Sequence, residues 1–119
     1  MGNLGIKRIY EAPADTDGSR ILVDRLWPRG IKKENAALTE WVKAIAPTNE
    51  LRKAFGHNPD LWPDFQGKYK AELDANPDAA AFAQKVREAL QNGNVTLLFG
   101  AKDTAHNNAV VLKQWLEEK

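Results

Sequence analysis

The sequence predicts one α/β domain over residues 1–119, a three-layer sandwich with a small, mainly parallel central sheet flanked by helices. Three observations lead there. Val95 to Gly100 is a nearly continuous apolar run, as expected of a strand covered on both faces. Ile21 to Leu26 is a second run rich in branched apolar residues, far earlier in the chain. The stretch from Thr48 to Leu90 reads as helical, and a long helical connection between two strands implies a crossover and parallel pairing.

In chain order, Ile6 to Tyr10 is a short, mixed strand, and Pro13 to Gly18 is a loop. The turn-like Asp15-Thr16-Asp17-Gly18-Ser19 precedes the strand Ile21 to Leu26. Around Thr39 to Ala46, residues Leu38, Trp41, Val42 and Ile45 match helical spacing, but the run is short and closed by Pro47, so a strand is preferred to a helix. Thr48 caps a short helix that Gly56 stops. Asn58-Pro59 starts a helix running to about Asp74, with Leu61, Trp62, Phe65, Tyr69 and Leu73 in one apolar stripe. Asn76-Pro77 repeats that start signal for a helix reaching Leu90, with Gly93 near its C-cap. After the strand Val95 to Gly100, a last helix is expected from Thr104 or Ala105, burying Ala109, Leu112 and Leu116.

Composition narrows the function. The apolar share of 43% and charged share of 28% are those of an ordinary globular protein. Without cysteine there is no disulfide framework, thiolate nucleophile or sulfur-built zinc site. With 17 basic and 16 acidic residues the net charge is +1, too balanced for a general nucleic-acid binder. Met1 to Tyr10 holds no apolar run long enough for a signal peptide or membrane span, so cytoplasmic residence without membrane association is expected. Ser19 is the only serine and no nucleophile elbow surrounds it. There is no Walker loop and no G-x-G-x-x-G after a strand, and His57 and His106 lack a helical metal-binding spacing, so no metal or cofactor is assigned.

Ligands of open parallel sheets bind beyond the carboxyl ends of the strands. Two predicted strands end there in unusual polar sequence: Asp24-Arg25-Leu26-Trp27-Pro28-Arg29-Gly30, and Gly100-Ala101-Lys102-Asp103-Thr104-Ala105-His106-Asn107. Along the first strand Ile21, Val23 and Arg25 share one face, with Leu22, Asp24 and Leu26 on the other. The second segment runs into a helix N-terminus, which favours an anion. Arg25, Arg29, Lys102 and Asn107 with that helix end make an anion cradle, and Arg52 and His57 close a third side. Asp24 or Asp103 as carboxylate and His57 or His106 as proton carrier supply acid–base chemistry there, although the same set serves binding-only sites as well.

Each residue also has a plainer reading. Asp24 holds a loop N–H or an arginine; Trp27 and Pro28 pack a loop rather than stack on a ring; His57 bridges a helix boundary. His106, placed in a helix's first turn, is badly sited for a structural cation, so a functional role stands level with a structural one.

Those segments carry a resemblance. Ile21-Leu22-Val23-Asp24-Arg25-Leu26-Trp27-Pro28-Arg29-Gly30, Leu51-Arg52-Lys53-Ala54-Phe55-Gly56-His57, and Val95-Thr96-Leu97-Leu98 with Asp103, His106 and Asn107 resemble the domain-of-unknown-function 488 family, in its small YeaO-like branch. Trp41, Ala46-Pro47, Phe65, Tyr69 and Glu72-Leu73 fall where that pattern has similar residues, and the match spans about Lys7 to Leu116. The resemblance implies a compact bacterial and archaeal α/β domain and tilts Thr39 to Ala46 toward strand. It assigns no activity and no catalytic role. The wider family ends a strand in Asp-x-Arg rather than Asp24-Arg25, and Thr48 stands where serine often follows the proline, keeping the capping hydroxyl.

The expected partner is therefore a small phosphate-bearing anion, such as a phosphorylated metabolite or nucleotide, held at the rim. The alternative is a nucleic-acid-associated or protein-interaction module in which the same arginines grip a backbone and Trp27 stacks on a base. A third reading has the polar rim merely closing the sheet, with Asp24 and Arg25 coupled in one network.

Overall fold

A computed structural model describes residues 2–119. The strands are β1 (Leu4–Arg8), β2 (Ser19–Leu22), β3 (Glu40–Trp41) and β4 (Val95–Phe99). The helices are α1 (Lys33–Ala36), α2 (Asn49–Phe55), α3 (Trp62–Ala75), α4 (Pro77–Asn92) and α5 (Asn108–Glu117). The four strands form one all-parallel sheet in the order β1-β4-β2-β3. Ile21 lies opposite Leu97, and Ile6 opposite Leu97 on the other side, so β4 is central and buried along its whole length. The helical crossover expected between the second strand and β4 is present.

Strand alternation splits the core in two. Ile21, Val23, Val95, Leu97 and Phe99 face a layer built from α2, α3, α4 and α5, in which Phe65, Tyr69, Phe82, Leu112 and Trp115 are buried. The opposite face is covered more thinly: Ile9, Leu22 and Leu98 meet Ala36 of the one-turn helix α1, together with Trp27, Ile31, Leu38 and Trp41. The lower part of that second face is polar. Buried Asp17 accepts hydrogen bonds from Lys7, from Arg20 and from the Ala14 N–H, while its carbonyl accepts from the Thr96 hydroxyl. This cluster neutralises a charge that would be costly to bury alone.

Several element limits differ from the sequence expectation. The first strand is Leu4–Arg8 rather than 6–10, which leaves Tyr10 beyond its end. The second stops at Leu22 because Val23 makes its last ladder bond, N–H to the Leu98 carbonyl, and Asp24 then turns its carboxylate to the Gly100 N–H. Asp24 and Arg25 thus belong to a loop, and the strand-face assignment for Arg25 and Leu26 is corrected. Residues 39–46 hold a two-residue strand followed by a 3-10 turn, Lys43–Ile45, so only the start of that stretch is strand.

The largest correction concerns α5, which begins at Asn108 and not at Thr104 or Ala105. Asp103 captures the N–H groups of Ala105 and His106, making a separate turn. The extended Asn107 then caps the helix by accepting from the Val110 N–H. His106 consequently precedes the cap, so the helix-dipole argument for it does not apply. Among the described residues no helix is long and apolar enough to cross a membrane.

Candidate functional site

The carboxyl ends of β1, β2 and β4 open on one cleft of about 850 Å³. Its floor is Asp24, Gly100, Ala101, Asn107 and Asn108; one wall is the loop after β2, with Arg25 to Arg29; the other is α2 and its exit turn, with Arg52, Lys53, Phe55 and His57. Tyr10 and Pro47 complete the rim, and Phe65 also lines the cleft.

At the floor Asp24 is already engaged. Its Oδ2 accepts from the Gly100 N–H at 2.8 Å and its Oδ1 from the Asn108 amide at 3.0 Å, while its carbonyl accepts from the Trp41 indole at 2.7 Å. Burial raises its pKa, opposed by the hydrogen bonds from Asn108 and Gly100 and by the charges of Arg52 and His57. A Cβ at position 100 would sit 3.3 Å from Asp24 Oδ2, tighter than an ordinary contact, so glycine suits the close approach. Asp24 therefore ties the end of β2 to the end of β4 and to α5, which is the plainer of its two sequence readings.

Arg25 donates through Nε to the Pro47 carbonyl at 3.1 Å and through Nη2 to the Ala46 carbonyl at 3.1 Å, joining the loop to the start of α2. Its partners are not those of Asp24, so the single coupled network expected of the pair divides into two anchors. Arg29 is exposed; the Tyr10 hydroxyl fixes its backbone, donating to its carbonyl at 2.8 Å. Trp27 lines the cleft, yet its indole N–H donates to the Ile31 carbonyl at 2.8 Å and its ring meets Trp41 edge-on at 5.2 Å, as loop packing requires.

The α2 wall is built locally. Thr48 caps the helix through Leu51 and is itself held by Glu72, hydroxyl to Oε2 at 2.7 Å and N–H to Oε1 at 3.1 Å, which fastens α2 to α3. Arg52 and Lys53 occupy the last turn; Arg52 contacts Asn49 Oδ1 at 3.0 Å. Gly56 then takes φ 53°, and His57 follows it into the left-handed region at φ 57°, where a residue with a Cβ is strained. The turn brings the imidazole to the cleft, 6.2 Å from the Phe55 ring.

Lys102, Asp103 and His106 are not among the cleft's lining residues. Lys102 is exposed. Asp103 bonds the His106 Nδ1 at 2.9 Å, and the His106 ring stands perpendicular to Trp62 at 5.1 Å. The Ala105 N–H, with contributions from His106, holds the Asp103 carboxyl below its ordinary pKa despite some desolvation. Asn107 is buried and does line the cleft, but its amide spans the Asp103 carbonyl and the Val110 N–H, so it is committed to the turn. Of ten sequence-predicted site residues, seven converge: Asp24, Arg25, Trp27, Arg29, Arg52, His57 and Asn107.

Sequence reasoning missed Tyr10, Lys53 and Asn108. The rule that pointed to the ends of two strands applies equally to β1, and would have found Tyr10. Lys53 adjoins Arg52, and Asn108 adjoins Asn107.

The chain is 44% identical over 114 residues to "Uncharacterized protein YeaO" of Escherichia coli (strain K12), covering 96% of each. It is 37% identical over 111 residues to "Uncharacterized protein Rv3073c" of Mycobacterium tuberculosis and to "Uncharacterized protein Mb3100c" of Mycobacterium bovis, covering 93% of this chain and 91% of each relative. No solved structure matches it significantly. A family model described as the inactive DUF488-N3 subclade matches residues 3–119, and the chain belongs to that family.

Proposed function

We propose that the rim cleft binds a small phosphate-bearing anion and that it does so as a receptor site rather than a catalytic one. The observation that carries this reading is charge. Arg25, Arg29, Arg52 and Lys53 line a cleft whose one carboxylate, Asp24, already accepts two hydrogen bonds. The whole chain has a net charge of only +1, so cationic charge is concentrated at this opening. Arg29 and Lys53 make no hydrogen bond through their side chains with the described residues, and Arg52 spends one donor on Asn49, so phosphate oxygens find free guanidinium and ammonium groups.

Acid–base work draws less support. Asp24 is committed to the fold, and the Asp103–His106 pair lies off the cleft. The description of the family's subclade as inactive points the same way. Base stacking by Trp27, on which the nucleic-acid alternative leaned, is disfavoured by the ring's engagement with Trp41.

Thermal denaturation against a panel of phosphorylated metabolites tests the reading. A ligand at 100 times its dissociation constant stabilises by about 2.7 kcal/mol, or about 10 °C for a chain of this length. Arg52→Ala is expected to remove the shift without lowering the melting temperature of the free protein. A panel in which no phosphate compound shifts the transition overturns it.

A further inference from the structure

We infer that the ligand is a ring-bearing phosphate of the nucleoside monophosphate class, its phosphate on the α2 wall and its planar ring over Tyr10 and Leu26; this rests on the phosphate-binding reading above. Size is the first argument. A cleft of about 850 Å³ lies in the range of pockets that enclose a whole small molecule, and inorganic phosphate would leave most of its lining unfilled.

The second argument is that the lining has two chemistries in two places. Arg52, Lys53 and His57 come from α2 and its exit turn, whereas Tyr10, Leu26 and Pro28 come from the ends of β1 and β2. Leu26 is 60% exposed and Tyr10 43% exposed, and both lie at this one opening. The fold gains nothing from leaving them in water, and a planar apolar group between them would cover both.

Tyr10 is moreover held as a platform. Its hydroxyl is fixed by the Arg29 carbonyl, the Arg8 guanidinium lies 4.5 Å from its ring centroid, and Arg8 is itself anchored to the Gly100 and Ala101 carbonyls. A ring immobilised in advance loses little entropy on stacking. At the floor, Asn108 donates its amide hydrogens to the Val23 carbonyl and to Asp24 Oδ1, which leaves its Oδ1 able to accept from a ligand N–H or O–H.

Titration calorimetry with inorganic phosphate, ribose 5-phosphate, adenosine and the four common nucleoside 5′-monophosphates separates the claims. At least one monophosphate is expected to bind about tenfold tighter than ribose 5-phosphate, the scale of one base stacked on an aromatic side chain. Leu26→Ser is expected to erase that advantage while leaving ribose 5-phosphate affinity unchanged, Leu26 being exposed enough that its replacement leaves folding intact. Tyr10→Ala, which also releases the Arg29 carbonyl, is expected to erase it as well. Arg52→Ala is expected to weaken both phosphates alike. Equal affinity for ribose 5-phosphate and every monophosphate, or an advantage that survives both variants, overturns the ring assignment while the anion site stands. Binding of none of the phosphates overturns both.

Discussion

His57 offers a test in which backbone geometry and side-chain chemistry come apart. It follows Gly56 in the left-handed region, at φ 57° after φ 53°. A residue with a Cβ costs about 1 kcal/mol or more there, whereas glycine is at ease. Replacing His57 by glycine and by alanine removes the imidazole in both cases, so the loss of its contact with Phe55 cancels and the difference reports the backbone alone. In a helix or strand alanine is the more stable of the two by about 0.5–1 kcal/mol. At position 57 the order is expected to reverse, with His57→Gly more stable than His57→Ala by about 1 kcal/mol. With an unfolding entropy of about 2.1 cal/mol/K per residue, that difference is about 4 °C in Tm for a chain of this length, well within the reach of calorimetry. Both variants are expected to lose phosphate affinity equally, since neither carries the ring. An alanine variant that melts at or above the glycine variant would refute the strained turn, and with it the idea that strain is kept there to aim the imidazole.

Four further outcomes follow from the contacts. Asp24→Ala leaves the Gly100 N–H and one amide hydrogen of Asn108 without their acceptor and is expected to cost about 1–3 kcal/mol, read from urea midpoints. Tyr69→Phe strips a 2.6 Å bond from the buried Ile45 carbonyl and is expected to cost about 1–2 kcal/mol by the same measurement. Burial pushes the Asp17 carboxyl up, but the Ala14 N–H, Lys7 and Arg20 together hold it below 3.8. Its contribution is then present above that pH and lost as pH falls through the lowered value, so the urea-midpoint gap between the wild type and Asp17→Asn is expected to narrow on acidification below about pH 4. Finally, phosphate binding is expected to weaken as salt rises, since Arg29, Arg52 and Lys53 are exposed; a salt-independent affinity measured by calorimetry would count against those three side chains as the anion's contacts.

What the sequence made legible was governed by short-range physics. The apolar run of β4, the Asn58-Pro59 and Asn76-Pro77 starts and the Thr48 cap each state their structure locally, and the crossover topology follows from them. Strand ends were overrun because β2 is terminated by a partner seventy-six positions on, the Gly100 N–H that draws Asp24 out of the ladder. The start of α5 was misplaced because Asp103 and Asn107 are both good caps four residues apart: Asp103 closes a turn of its own, and the helix starts after Asn107, where Asn108 is tied to Val23 and Asp24. That single shift took His106 away from the expected helix. Lys102 and Asp103, read as part of the cradle from their place after a strand, likewise fall outside the cleft, because the chain leaves it after Ala101 and returns only at Asn107, the excursion being closed by the Asp103 turn. The placing of Arg25 and Arg29 at the opening, by contrast, needed only the rule that strand ends gather at one rim, whereas Arg52 and His57 reach it from α2 and its exit turn.

The strand order has a consequence for how this chain is made. β4 hydrogen-bonds to both β1 and β2, so neither N-terminal strand meets its central neighbour until Val95–Phe99 has been synthesised. At ribosomal rates of about 5–20 residues per second, Ile21 waits roughly 4–15 s for Leu97. During that interval the apolar residues of β1 and β2 are without the central strand that covers them in the finished sheet. A stop codon ahead of Val95 would therefore yield an unstructured fragment cleared by proteases, not a smaller version of the domain.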